Sequence, residues 1–178
     1  GESDIHLHHD HYTPEDIEEN LSICRDVLFH RHGMLRRDPE SGQIVYGFIH
    51  GNWALCNSRR DGRWCGVDHE IPILLRTGCY ADFTMPSAPS DTQTRTINSI
   101  YYAVDHPGQC KSHDQGVRAR VGQAPPPESL LMIQGPLAFD PSRRKFGILP
   151  RIETVDLLCN HPHTLARLPL CSQSVVRV

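Results

Sequence analysis

Ile44-Val45-Tyr46-Gly47-Phe48-Ile49 is a nearly continuous apolar run, and its reading decides the fold class. β-Branched and aromatic residues without polar alternation suit a strand covered on both faces, as in parallel sheets flanked by helices. Upstream, Asp38-Pro39-Glu40-Ser41-Gly42 has turn chemistry. Before it, Thr13 can cap a helix and Pro14 suits the first helical position. Glu15 and Asp16 favour the positive dipole end. Ile17, Leu21, Cys24 and Leu28 recur at helical spacing, Val27 widens the stripe, and Gly33 is a stop signal. Earlier still, Asp4, His6 and His8 share one side of a strand over residues 4–8, with Ile5 and Leu7 on the other.

Downstream, a polar loop from Asn57 to Gly66 precedes a short helix starting near Asp68. That helix carries Ile71, Leu74 and Leu75 and stops at Gly78, with Pro72 close to its first turn. Cys79-Tyr80-Ala81-Asp82-Phe83-Thr84 is the next strand. Strand, helix, strand, helix, strand is the order of a parallel sheet with crossover helices. The second half changes character. Ile97 to Ala103, the alternating Val117-Arg118-Ala119-Arg120-Val121 and Leu130 to Gln134 read as strands, joined by linkers rich in Pro and Gly. The expected domain is single: β/α units over 1–104, a strand- and loop-rich part over 105–155, and a weakly patterned tail over 156–178.

At 178 residues the chain can bury a substantial core, and 38% hydrophobic content with a formal charge of −3 suits a soluble globular protein. That charge leaves no electrostatic footprint for nucleic acid or an anionic membrane. No apolar run spans a bilayer, and Glu2 and Asp4 stand where a secretory leader needs basic then apolar residues. Seven scattered cysteines contain no C-x-x-C pair, which favours a reduced, cytoplasmic protein. Cys24 and Cys79 read as small buried hydrophobes, and Cys56 and Cys65 flank a loop as an alternative redox pair.

Four of the twelve histidines fall in the first eleven residues, within Asp4-Ile5-His6-Leu7-His8-His9-Asp10-His11. Imidazoles and a carboxylate in one small volume form a Zn-type ligand set. A solvated histidine-rich segment is the plainer alternative. In parallel α/β sheets the carboxyl ends of strands line the active cleft. His8-His9-Asp10, His50-Gly51-Asn52-Trp53 and Asp82 all occupy such ends. His50 is either a ligand or a histidine bonded to loop backbone. Asp82, in an apolar strand, must be paired, metal-bound or neutral. Arg95 and Arg118 are candidates for holding an anionic group, and His113 lies in a loop expected to be solvated. No G-x-S-x-G elbow or phosphate loop is present.

Three stretches, Asp4 to Asp10, Phe48 to Leu55 and Gly78 to Thr84, resemble bacterial proteins placed near the polysaccharide deacetylase-like superfamily. The resemblance continues through Thr94 to Ala103 and Gln134 to Leu137, covering the chain to about residue 155. It implies an irregular or partial (β/α) barrel with mostly parallel strands, and hydrolysis at a divalent metal. In that family an aspartate and an H-x-x-x-H pair hold the metal. His8 matches the first histidine, whereas position 12 is Tyr12, so His11, Asp10 or His50 must substitute. The family's first aspartate has no counterpart, so the chain reads as an internal piece whose exposed sheet edge a homodimer would close.

The resulting expectation is a metal-dependent hydrolase of an amide, ester or lactone bond, acting on a small molecule or an acylated carbohydrate. His6, His8, Asp10 and His50 form the ligand pool for one divalent ion, Zn first, with Mn, Co, Ni or Ca as alternatives. Asp82 or His9 moves the proton, and Trp53, Tyr80 and Arg95 are the substrate contacts. Trp53 and Tyr80 can equally be core residues. The rival reading is a non-catalytic remnant, stabilised by metal or binding sugar.

Overall fold

The computed structural model describes residues 3–84, 86–156 and 168–169. The tail expected over 156–178 thus lies outside the described residues except at 156 and 168–169. Strand β1 (Asp4–Leu7) leads into helix α1 (Pro14–His30). Thr13 Oγ1 accepts the Asp16 N–H at 3.2 Å, and Asp16 Oδ2 accepts the Thr13 N–H at 2.9 Å, closing a reciprocal capping box. The expected stripe faces inward, with Ile17 and Leu21 buried and Cys24 and Leu28 packed beside them. Gly33, at φ 60°, follows the last turn as anticipated. Thr13→Ala is expected to cost about 1 kcal/mol, which thermal unfolding reads as a fall of roughly 2–4 °C.

Short β2 (Arg36–Arg37) pairs antiparallel with β3 (Ile44–His50). Helix α2 (Glu70–Thr77) starts two residues later than the sequence suggests. Pro72 is its third residue, where the backbone N–H has no intrahelical partner, so the ring costs nothing there. Gly78 closes α2 at φ 101°, and a Cβ there would sit 2.3 Å from the Ile44 carbonyl oxygen, so only glycine fits. Strand β4 (Cys79–Asp82) follows directly. Helices α1 and α2 pack together, tied by Arg76 to Glu18 at 2.8 Å and by Arg25 to the Thr77 carbonyl at 2.9 Å.

The remaining strands of the main sheet are β5 (Ser99–Val104), β6 (Val117–Arg118) and β7 (Ser129–Gln134). The sheet order is β1-β3-β4-β7-β5-β6. Pairing is parallel from β1 through β7 and antiparallel at β5 and β6, so the fold is mixed α/β with few helices. Beyond it, β8 (Leu137–Lys145) and β9 (Leu149–Asp156) form an antiparallel hairpin, with β10 (Leu168–Pro169) parallel to β9. The strand- and loop-rich second half is as expected.

Two local expectations change. In β3 only Tyr46, Phe48 and His50 are deeply buried on one side chain row, whereas Val45 and Ile49 are half-buried; coverage is unequal on the two faces. In 117–121 only Val117–Arg118 is strand, and Val117 and Val121 are exposed, because β6 lies at the antiparallel margin beyond β5. One row crosses the sheet through Ile5, Phe48, Asp82, Met132 and Tyr101, each at most 2% exposed. Asp82 is therefore a carboxyl in an otherwise apolar row. Among the described residues no helix is long and apolar enough to cross a membrane.

Candidate metal centre

The strand alternation that puts Ile5 and Leu7 inward continues one step past β1, and His9 takes the inward place. His9 is 3% exposed, while His6, His8 and Asp10 are exposed. His6 and His8 stack with ring centroids 4.8 Å apart on the polar side. At the end of β3, His50 is buried with its ring centroid 4.4 Å from that of His9. The loop before α2 brings Cys65, and the first residue of α2 is Glu70; both are buried.

Ligand atoms of His9, His50, Cys65 and Glu70 all lie within 4.8 Å of one another. Glu70 organises them. Its Oε2 accepts the Cys56 backbone N–H in a short hydrogen bond and the Cys65 thiol at 3.1 Å. Its Oε1 faces His9 Nε2 at 3.1 Å and His50 Nε2 at 3.9 Å, without hydrogen-bond geometry to either. Four side-chain atoms of the cluster thus remain buried without a hydrogen bond: His9 Nδ1 and Nε2, His50 Nε2 and Glu70 Oε1. Each such group costs about 1–3 kcal/mol when left unmade. A cation among them removes that cost, and imidazole, thiol and carboxylate are the donors a divalent transition metal takes. The cluster could therefore hold a metal ion; which ion is a separate matter.

Burial pushes the Cys65 thiol up, and the Glu70 charge adds to this, so the thiol keeps its proton and donates it. For Glu70, burial works upward, but the neighbouring His50 and His9 outweigh it and hold the carboxyl low. Burial lowers His50 to about 4, against the pull of Glu70, so its ring is neutral. His50 Nδ1 accepts backbone N–H groups from Asn52 at 3.2 Å and Ala54 at 3.3 Å, which puts the ring proton on Nε2. Binding a cation at Nε2 would need the other tautomer, with the ring proton moved to Nδ1 and both backbone hydrogen bonds to Nδ1 given up. His50 is the weakest ligand of the set.

A narrow crevice, with room for about one water molecule, lies at the carboxyl ends of β3, β4 and β7, where parallel sheets bind ligands. Trp53, Asp82, Thr84, Thr92, His113 and Gln134 are among its walls. The His50 N–H donates to Thr84 Oγ1 at 2.9 Å, and that hydroxyl donates to Asp82 Oδ1 at 2.6 Å, linking cluster and cavity. Burial raises Asp82 to about 7 although Thr84 opposes it. His113, expected in a solvated loop, is 3% exposed, and burial lowers it to about 4. Its Nδ1 has no hydrogen-bond partner.

Of the expected ligands, His50 joins the cluster and His6, His8 and Asp10 do not, because they sit on the wet side of β1 and its exit. Asp10 instead accepts the Trp64 N–H at 2.5 Å and pins the Cys65 loop. His9, expected to move a proton, stands among the ligand atoms, while Asp82 lines the cavity. Trp53, 44% exposed, borders the cavity too. Tyr80 does not line it; its ring meets Phe83 and the Arg36 guanidinium. Arg95 pairs with Asp114 at 3.1 Å on a separate surface bowl. Cys56 and Cys65 are free thiols rather than a disulfide.

Sequence reasoning missed Glu70 and the ligand role of Cys65. For Glu70 a signal existed: Glu70, Ile73, Leu74 and Thr77 share helical spacing, so the carboxylate sits on the apolar stripe of α2. Cys65 lies in an irregular loop and carries no such period. Compared with known proteins, the chain matches no family model, no curated protein and no solved structure.

Proposed function

We propose that this protein binds one divalent metal ion through His9, His50 and Glu70, and that it is a metal-dependent hydrolase of acyl bonds. The observation that carries the reading is the convergence of buried ligand atoms from three residues, without hydrogen bonds, one backbone hydrogen bond away from a crevice at the carboxyl ends of the strands. Two imidazoles and a glutamate are a donor set used in catalytic zinc sites. Two nitrogen donors around a single carboxylate favour Zn and disfavour Ca. A divalent ion held there supplies a Lewis acid for a carbonyl and an acidified water.

The chain's own groups supply the rest. Cys65 and the Cys56 N–H hold Glu70 Oε2, leaving Oε1 as the free ligand oxygen. Asp82, titrating near neutrality, takes and returns the reaction proton. Trp53 offers an aromatic platform at the cavity mouth. An amide, ester or lactone fits, an acylated carbohydrate among them, in keeping with the deacetylase-like resemblance and its (β/α) barrel.

One observation favours a second reading. All four donors are closed off from solvent, as in structural sites where four protein groups complete the coordination. Here Cys65 would ligate as a thiolate and the protein would be a metal-stabilised, non-catalytic module. Elemental analysis of purified protein, a panel of ester, lactone and acetyl-sugar substrates, and the absorption of the Co(II)-loaded protein separate the two. The hydrolase reading expects chelator-sensitive turnover restored by zinc, lost in His9→Ala, and no thiolate-to-cobalt band. A strong thiolate band with no turnover establishes the module instead. Protein without stoichiometric metal, and with no uptake on adding zinc, removes both.

A further inference from the structure

The donors come from separate segments: His9 from the exit of β1, His50 from the end of β3, Cys65 from a loop, and Glu70 from α2. Loops alone do not hold three such segments to a few tenths of an ångström. One residue, Asn52, contacts three of them, two through its side chain and His50 through its backbone N–H. Asn52 Nδ2 donates to the His9 carbonyl at 2.8 Å and reaches the Trp64 carbonyl, next to Cys65, at 3.5 Å. Asn52 Oδ1 meets His8 Nδ1 at 2.9 Å, and the Asn52 backbone N–H caps His50 Nδ1 at 3.2 Å. The approach is close, since a Cβ on neighbouring Gly51 would lie 2.5 Å from the His8 ring.

Resting on the metal-binding reading above, we propose that Asn52 is the positioning residue of the metal centre. It is not itself a ligand; its side-chain amide ties the His9 carbonyl and the Trp64 carbonyl beside Cys65 to the turn that follows His50. Only an amide does this. The two carbonyls of His9 and Trp64 require N–H donors, whereas His8 is met by an oxygen. Aspartate has the same size but points a carboxylate at both carbonyls. A residue that merely shaped the turn after β3 would change stability and leave the donors' geometry to the rest of the fold.

The test compares wild type, Asn52→Asp, Asn52→Ala and His8→Ala. Zinc affinity is measured by competition with a chelating dye, metal-free stability by melting in chelator, and ligand geometry by the Co(II) d–d bands. Asn52→Asp and Asn52→Ala are expected to weaken zinc by roughly 10–100-fold, the usual size for groups that orient ligands, and to shift the cobalt bands. His8→Ala, which removes the Oδ1 contact and the stacking on His6 but neither bond of Asn52 Nδ2, is expected to stay within about threefold of wild type, well below that range. Asn52→Asp, matched in size, carries the comparison if Asn52→Ala does not fold. Wild-type affinity and unshifted bands in both Asn52 variants, with wild type binding zinc normally, overturn the positioning role alone. A wild-type protein that takes up no zinc overturns the metal reading and this inference with it.

Discussion

Replacing Glu70 with alanine is expected to lower stability by about 3–5 kcal/mol and to abolish zinc binding. Glu70 is the only acidic member of the cluster, and its Oε2 is the acceptor for both the Cys56 N–H and the Cys65 thiol. Truncation leaves those two donors without their acceptor and removes the carboxylate that faces the imidazoles, all among buried side chains. For a chain of this size the loss corresponds to a fall of roughly 10 °C or more in Tm. Glu70→Gln makes the comparison sharper. The amide keeps an acceptor oxygen for the Cys56 N–H, so it should cost less stability, yet it lacks the charge a cation needs. Melting in chelator, then with added zinc, reads both effects. Zinc at about a thousand times Kd should stabilise wild type by roughly 4 kcal/mol and leave both variants unmoved. If Glu70→Ala melts within a couple of degrees of wild type, the carboxylate is not the centre of this cluster.

Asp82 sets the second large effect, a dependence on pH. Burial raises its pKa from the ordinary 3.8 to about 7, with the Thr84 hydroxyl and N–H working the other way and Glu70 adding a little. The folded chain therefore binds the Asp82 proton more tightly than the unfolded chain does. Between about pH 4 and pH 7 the folded state holds the extra proton, so stability falls as pH rises through that window. At about 1.4 kcal/mol per pH unit the whole effect is roughly 4 kcal/mol, complete above pH 7. Asp82→Asn cannot ionise and should lose this slope. Urea midpoints in chelator at pH 5 and pH 8 test it: the variant should gain on wild type by about 2–3 kcal/mol between the two. An equal gap at both pH values would show that Asp82 does not titrate in this window.

Much of the first half was legible from side chains alone. Thr13-Pro14 and Gly33 bracket α1, Gly78 closes α2, and the run from Ile44 to Ile49 is a strand with parallel neighbours. These signals are local: a cap, a missing N–H, a missing Cβ or a short-range period is decided within a few residues. The candidate site was half legible. His50 and Asp82 stand out because each interrupts an apolar run. His9 was readable by the same alternation that buries Ile5 and Leu7, yet attention to the polar row of β1 favoured His6 and His8. Glu70 carried a period too, hidden behind the polar segment that precedes it.

What the amino-acid order determined by itself was the succession of strands and helices and the polar groups lodged on their apolar faces. Which of those groups meet was decided by the tertiary structure. His9, His50, Cys65 and Glu70 lie up to sixty-one positions apart in the chain, and no short-range pattern encodes a distance across loops. Their meeting depends on the parallel register of β1 with β3, the seating of α2 beside them, and the hydrogen bonds that Asn52, Asp10 and Glu70 make between segments. Those bonds form only once packing has brought the segments together, because in the open chain each donor and acceptor is satisfied by solvent.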